Sequence, residues 1–425
     1  MRKSFIYKIS IMKTTRKMKS RKRALLLAAL LMCMVSAKCY DQKSWEVVRM
    51  AHDDQHLYLA TAERGLVVID KATGKQTFFN VDNGKLTHDW LNDIVVCDGK
   101  LYLTYRAIQQ DNGGYTFPKD WIACVDLNEG TVSPFAFTDE DVAKAHKNVF
   151  YGMFLPRLFV DGDNNLWLTI ADCYACKYDF AKEGITYVSG PMSLLGSSIG
   201  EASVVSDFRI DRQGNLWIAG GVPYIDEKGV LYRLTAETMA GGDYTMESLG
   251  IGFGPWDTAS CMEIDGEGNV WVGIRSIMKE NRLCRISSDG TWKRYPEEGN
   301  VPFVYSDIEK DDDGRLWVLT TDALYEVQGE QFVEVTCPFE TGRRGQLHID
   351  GDVLYMACEK GLYKYQDGGF TQMELPAGGH IGISQPEKPS AASQFFGVDG
   401  IQRTSLSKGL NIVRRDGSTG KVVVK

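Results

Sequence analysis

The stretch IDRQGNLWIAG, residues 210–220, recurs along the chain at a nearly fixed interval. VDGDNNLWLTI (160–170), IDGEGNVWVGI (264–274) and KDDDGRLWVLT (310–320) align with it without gaps, so that Trp167, Trp217, Trp271 and Trp317 stand 50, 54 and 46 residues apart. HDDQHLYLAT (52–61), CDGKLYLTY (97–105) and IDGDVLYMAC (349–358) are looser copies, with Tyr58, Tyr102 and Tyr355 in the aromatic position. Units of this length cannot bury an apolar face alone, and a series of them signals stacked repeats.

The residue types explain the motif. An aspartate such as Asp211 accepts hydrogen bonds from the backbone amides ahead of it, which closes a turn. Gly214, Gly268 and Gly314 supply the left-handed position of a tight hairpin, and Asn164 is the next-best residue for it. Leu and Trp then open a strand, one on each face, and the Trp supplies bulk between neighbouring units. Strands precede the motif, as in VVSDFRID (204–211) and YSDIEKD (305–311). Others follow it, as in GLVVID (65–70), WIACVDL (121–127), GVLYRLT (229–235), NRLCRISS (281–288), ALYEVQ (323–328) and GLYKYQ (361–366). A weaker last strand comes after a polar turn, for example KQTFFN (75–80), TWKRYP (291–296) and FTQMELP (370–376).

Each unit is therefore four short antiparallel strands, and repeats of that kind at this spacing predict an all-β fold, a β-propeller. The 332 residues from Trp45 to Pro376 divide into seven blades of about 47, with six or eight as the neighbouring solutions. The first and last blades both look complete, so no exchange of a terminal strand announces how the ring closes.

Composition agrees with this reading. The chain has 425 residues, 44% hydrophobic and 24% charged, with 43 Gly, 18 Phe and 19 Tyr, as a packed protein of many short strands should. A formal charge of −8 disfavours a nucleic-acid partner. Residues 16–23 are strongly basic, and the apolar run 24–35 is too short to span a bilayer. Val35-Ser36-Ala37 fits a cleavage site. An exported protein follows, cleaved after Ala37, with Met18 as a second candidate start; neither Cys33 nor Cys39 has the small preceding residue of a lipoprotein signal. No later segment is apolar enough for a transmembrane helix.

Ten cysteines without regular spacing do not form a disulfide framework, and Cys97, Cys124, Cys284 and Cys358 sit in strand-like runs as small apolar residues. Cys173 and Cys176 form an isolated CxxC, weak grounds for zinc or redox chemistry.

The pattern Asp-x-x-Gly-Asn-Leu-Trp-x-Gly-Thr followed by Gly-Leu-Tyr-x-Tyr, matched at Asp211–Gly220, Asp265–Gly273 and Asp311–Thr320 with Ala323–Glu326, resembles the two-component regulator propeller repeat. The related virginiamycin B lyase propellers share it. The resemblance implies a periplasmic sensor-like propeller, here free-standing, since no kinase or DNA-binding region follows. Lys408–Val413 and Lys421–Lys425 resemble the end of a type IX secretion sorting domain, although a final hairpin packed on the propeller is the alternative. The chain is thus read as a signal peptide (1–37), a seven-bladed β-propeller (38–376), a linker (377–393) and a short sorting-like C-terminal β tail (394–425).

Chemistry is scarce. His52, His56, His88, His146, His348 and His380 show no metal spacing, and His52 and His56 fall at a hairpin turn. The acidic runs at Asp161–Asn165 and Asp311–Gly314 lack the later ligands of a calcium loop. Ser287–Trp292 only approximates a sialidase Asp-box. No catalytic residue, no metal ligand and no cofactor is assigned; a divalent metal is conceivable but unsupported.

Function in a repeat fold belongs to its loops. The long or aromatic ones, at 87–92, 105–121, 138–156, 252–258 and 340–346, point to Trp90, Tyr105, Arg106, Trp121, Tyr151, Trp256, Arg275 and Arg343 as candidate ligand-binding residues on one face. Aromatics stack on sugars, and arginines pair with carboxylates. The reading is a monomeric, non-catalytic binding propeller in the periplasm, at the cell surface or secreted, whose partner is a glycan or a protein. A propeller enzyme, lyase or glycan-cleaving, with its site in the central channel is the alternative. A structural or surface-assembly role is a third.

Overall fold

In the computed structural model of the chain, each motif turn closes upon its own aspartate. Gly214 N–H donates to Asp211 O (2.9 Å) and Asp211 N–H to Asn215 O (3.0 Å). One carboxylate oxygen of Asp211 accepts from the amides of Gln213 (2.9 Å) and Asn215 (2.8 Å). The other accepts the indole N–H of Trp217 at 2.8 Å. Trp167 and Trp271 donate in the same way to Asp161 (2.7 Å) and Asp265 (2.8 Å), and Trp317 to Asp311 at 3.3 Å. In the first blade the Tyr58 hydroxyl takes the place of the indole and donates to Asp53. Gly214, Gly268 and Gly314 have φ of 80°, 87° and 83°, and Asn164 has 59°, the left-handed conformation expected of them.

The structure describes residues 45–106, 108–109, 115–116, 122–127, 129–135, 157–170, 174–180, 184–187, 204–221, 231–241, 247–249, 257–276, 281–295, 304–328, 331–342, 345–375, 394–397, 402–403, 409–415 and 418–424. All lie in the unit formed by residues 44–425. The leader expectation (1–37), the linker (377–393) and Cys173 fall outside the described residues.

The chain is a seven-bladed β-propeller. Its blades occupy 47–79, 91–134, 158–187, 204–248, 257–295, 305–335 and 346–373, and each is four antiparallel strands, A to D, in sequence order. The second blade carries a small hairpin, Ile108–Gln109 with Tyr115–Thr116, between its B and C strands. In the fourth, a five-residue helix, Ala236–Ala240, joins C to D; Thr235 caps it, and the motif residue Asn215 accepts the Ala236 amide at 3.0 Å. The tail forms a further four-stranded sheet, with strands Gln394–Gly397, Gln402–Arg403, Gly409–Arg415 and Ser418–Val424.

The core is a set of inter-blade layers. Trp217 packs with Met262, Val270 and Ile274 of the fifth blade, and Trp271 with Ile308, Leu316 and Val318 of the sixth. Trp317 does the same with Leu347, Leu354 and Met356 of the seventh. Each buried aromatic of this kind contributes about 2–3 kcal/mol relative to an exposed one. Gly273 marks the closest approach: a Cβ there would lie 2.8 Å from Tyr305 Cβ and 2.6 Å from Cys261 Sγ. The structure supplies the ring closure that the sequence leaves open. Every blade is contiguous, and the last meets the first through an apolar layer, Tyr355, Ala357 and Leu362 against Val47, Met50, Leu57 and Val67. Gln76 also donates from its side chain to Glu374 O across this seam. Cys97, Cys284 and Cys358 are buried free thiols, and Cys124 is half-buried.

Candidate functional site

The A strands line the ring axis, and they carry charges where an inner strand would ordinarily be apolar. In four blades the A strand has an irregularity just before the charged position, between Val47 and Arg49, Leu91 and Asp93, Val205 and Asp207, and Tyr305 and Asp307, and in the fifth blade the same irregularity precedes Cys261. Such a bulge re-aims the side chain that follows it. Asp93, Asp207 and Asp307 then turn one carboxylate oxygen onto the next amide of their own strand, at 2.9, 2.9 and 3.0 Å. The second oxygen of Asp93 accepts Leu158 N–H of the third blade at 3.0 Å, and that of Asp307 accepts Leu347 N–H of the seventh at 2.8 Å. Asp93 and Asp307 thus bolt one blade to the next.

Arginines complete the belt. Arg49 Nε lies 3.3 Å from Asp93, and Arg209 Nε lies 3.3 Å from Glu263 while its other end pairs with Asp207. Burial alone would depress the Arg49 guanidinium; the charge of Asp93, then those of Asp207 and Asp307, reverses this and holds it well above its ordinary value. Asp207 and Asp307 belong to the fourth and sixth blades, so the field of the belt reaches across the axis. Arg209 is likewise raised, burial being overcome by Asp207, Glu263 and Glu309. Carboxylates exceed arginines here. Burial pushes Asp307 up to about 6 despite Arg49 and the Leu347 amide, and lifts Glu309 well above the usual range, with Asp307 and Glu263 adding repulsion. Asp307 and Glu309 thus keep a proton to higher pH than free carboxylates do. Among the described residues no three His, Cys, Asp or Glu side chains are arranged to hold a metal ion.

The connections from B to C and from D to the next A share one face, opposite the motif turns. Trp90 stands there at 36% exposure, just before strand Leu91–Cys97. Arg106, half-buried, follows strand Lys100–Tyr105, and its amide donates to Trp90 O at 2.9 Å, so these two candidates are neighbours. Tyr105 is wholly buried, its ring edge-on to His88 at 5.4 Å. Arg275 is exposed near the end of strand Val270–Ser276 in the fifth blade, opposite Thr258 and remote in sequence from that pair. Trp121, Tyr151, Trp256 and Arg343 lie outside the described residues.

Sequence reasoning passed over the belt. A signal for it existed: Arg49, Arg157, Asp207 and Asp307 each precede their motif aspartate by four residues, and Arg209, Glu263 and Glu309 by two. A charge recurring at a fixed offset inside strands otherwise built of Val, Ile and Phe marks a common place in the ring.

No family model matches the chain, and no curated protein sequence does. Among solved structures it superposes on YCF48 bound to D1 peptide at 10% identity and a TM-score of 0.52, over 76% of this chain and 94% of that one. It superposes on PorZ, a surface component of the type IX secretion system of Porphyromonas gingivalis, at 13% and 0.52, over 91% and 60%. A xyloglucanase of family GH74 from Xanthomonas campestris gives 14% and 0.53, over 87% and 58%. Extracellular domains of the B. thetaiotaomicron two-component systems BT4673 and BT3049 also align, at 14% identity with TM-scores of 0.38 and 0.35. The chain spans 50% to 61% of the length of these domains. At such identities the likeness is one of fold. No helix among the described residues is long and apolar enough to cross a membrane.

Proposed function

We propose that the chain is an exported binding propeller that takes a protein segment or a glycan on its loop face, without catalysis. The observation that carries this is the contrast between the faces. Turn-face side chains such as Asp211, Asn215 and Trp217 satisfy one another, whereas the loop face presents Trp90 beside Arg106 on a rigid strand pair. An exposed indole suits a sugar ring or an aromatic residue, and an arginine on the neighbouring strand end suits a carboxylate. The fold is one on which YCF48 holds a peptide, which supports the peptide half of the reading. The basic and apolar leader supports export, and the C-terminal sheet is the element expected to direct passage to the surface. Trp121, Tyr151, Trp256, Arg275 and Arg343 remain the proposed extension of the face, and the mature chain acts as a monomer.

Screening the mature chain on glycan and peptide arrays tests this. A ligand whose binding falls about tenfold or more in Trp90→Ala is expected, the loss of one buried aromatic anchor. Binding unchanged in that variant removes the loop-face reading, and cleavage of the polymer on the array favours the enzyme.

A further inference from the structure

We infer that the seam between the first and last blades is a proton-operated latch, closed by a neutral histidine pair and loosened when both rings become charged. His52 ends the A strand of the first blade and His348 lies in that of the seventh, 296 residues later. Their rings meet nitrogen to nitrogen, Nδ1 to Nε2, at 2.8 Å, with centroids 4.9 Å apart. A hydrogen bond of that kind needs one N–H and one lone pair, so at least one ring must be neutral. Among the described residues no strand is shared across this boundary, so the latch acts where consecutive blades are not joined by the chain.

The surroundings decide how many protons the pair tolerates. Asp350 Oδ1 lies 3.4 Å from His52 Nε2, and Lys71 pairs with the other oxygen of that carboxylate. Asp53 and Asp312 face His52 more weakly from the neighbouring turns. Arg49, on the strand of His52, and Lys71 both oppose a charge on His348. From the sixth blade, Asp307 accepts the amide preceding His348, and its partner Arg49 holds part of its charge. A first proton is held between the rings, with Asp350 behind His52. A second would set two imidazoliums at contact distance beside Lys71 and Arg49. Burial, then His52, Arg49 and Lys71, accordingly depress His348 to about 3, and burial lowers His52 as well. The open seam has ordinary histidines, so acidification favours it: each excluded proton raises the opening constant about tenfold per pH unit below roughly 6.5.

A global melting curve does not isolate this, because the raised Asp307 and Glu309 make the belt more stable as pH falls. Regional hydrogen–deuterium exchange of the whole chain at pH 7.5, 6.0 and 4.5, with labelling times scaled to the intrinsic rate, does isolate it. Segments 47–52 and 346–350 are expected to open roughly a hundredfold more readily at pH 4.5 than at the ordinary histidine value, for one excluded proton. Segments 204–210 and 257–264, at the boundary of the fourth and fifth blades, are expected to show no such rise. His348→Gln, which keeps a neutral partner for His52, flattens the seam response, and His52→Asn serves if that variant fails to fold. Parallel behaviour of the two boundaries in the unmutated chain overturns the proposal, as does a variant that keeps the full response.

Discussion

The turn face and the ring axis are both built of carboxylates, yet they differ in the reach of their bonds. Asp265 satisfies the amides of Glu267 and Asn269 and the indole of Trp271, all within six residues. Asp307 reaches Leu347, 40 residues on, and Arg49 of the first blade. The first arrangement makes a blade, and the second joins blades. A motif aspartate is therefore a local folding device repeated down the chain, while an axial aspartate depends on the ring already being assembled.

That contrast can be broken most severely at the turn. Asp265→Ala leaves two amides and a buried indole N–H without their acceptor and should cost about 3–4 kcal/mol in denaturant unfolding. Trp271→Phe, which keeps an aromatic ring but loses the pyrrole part of the indole with its N–H, leaves both turn amides satisfied and should cost nearer 1–2 kcal/mol. Equal losses in the two variants would mean that the indole, rather than the turn, carries the effect.

The axis should reveal itself through pH. The folded value of Asp307, about 6, lies above its ordinary 3.8, so the native state keeps a proton there that the unfolded chain gives up. Its contribution is fully present below about 3.8 and is lost as pH rises to 6. In Asp307→Asn the fall in the urea midpoint between pH 4 and 6 should be smaller by the share of Asp307, with Glu309 supplying what remains. A variant whose pH profile parallels that of the parent would remove Asp307 from the proton account.

The smallest effect on stability is expected on the loop face. Trp90, at 36% exposure, is a partly buried side chain, and Trp90→Ala should cost about 1 kcal/mol in a thermal scan, well below the loss in Asp265→Ala. A large loss would make Trp90 a buttress of the blade instead of a contact.

The same contrast explains what could be read from the sequence. The turn, its left-handed glycines, the aromatic between blades and the count of seven follow from interactions spanning four to six residues, and such a pattern is visible in a string. The indole-to-aspartate bond was implicit in the fixed spacing from Asp211 to Trp217 but went unread. The offset from the motif marks Arg49 as axial, but the pairing of residues 44 apart, such as Arg49 and Asp93, or 296 apart, such as His52 and His348, has no local signature. Ring closure was illegible for a related reason. It is made by the apolar surface of Tyr355 and Leu362 against Leu57 and Val67, residues indistinguishable in sequence from those between any other two blades. Tyr105 looked like a loop aromatic because it ends a strand, yet it turns inward against His88.

The division of labour between the faces meets its most direct test in a pair of variants titrated against the strongest oligosaccharide or peptide binder found on the arrays. Arg212 is exposed in a motif turn, and Trp90 is exposed on the loop face. The expected result is a loss of affinity of about tenfold or more in Trp90→Ala with Arg212→Ala unchanged. Affinity lost in Arg212→Ala and kept in Trp90→Ala would place binding on the turn face and contradict the account.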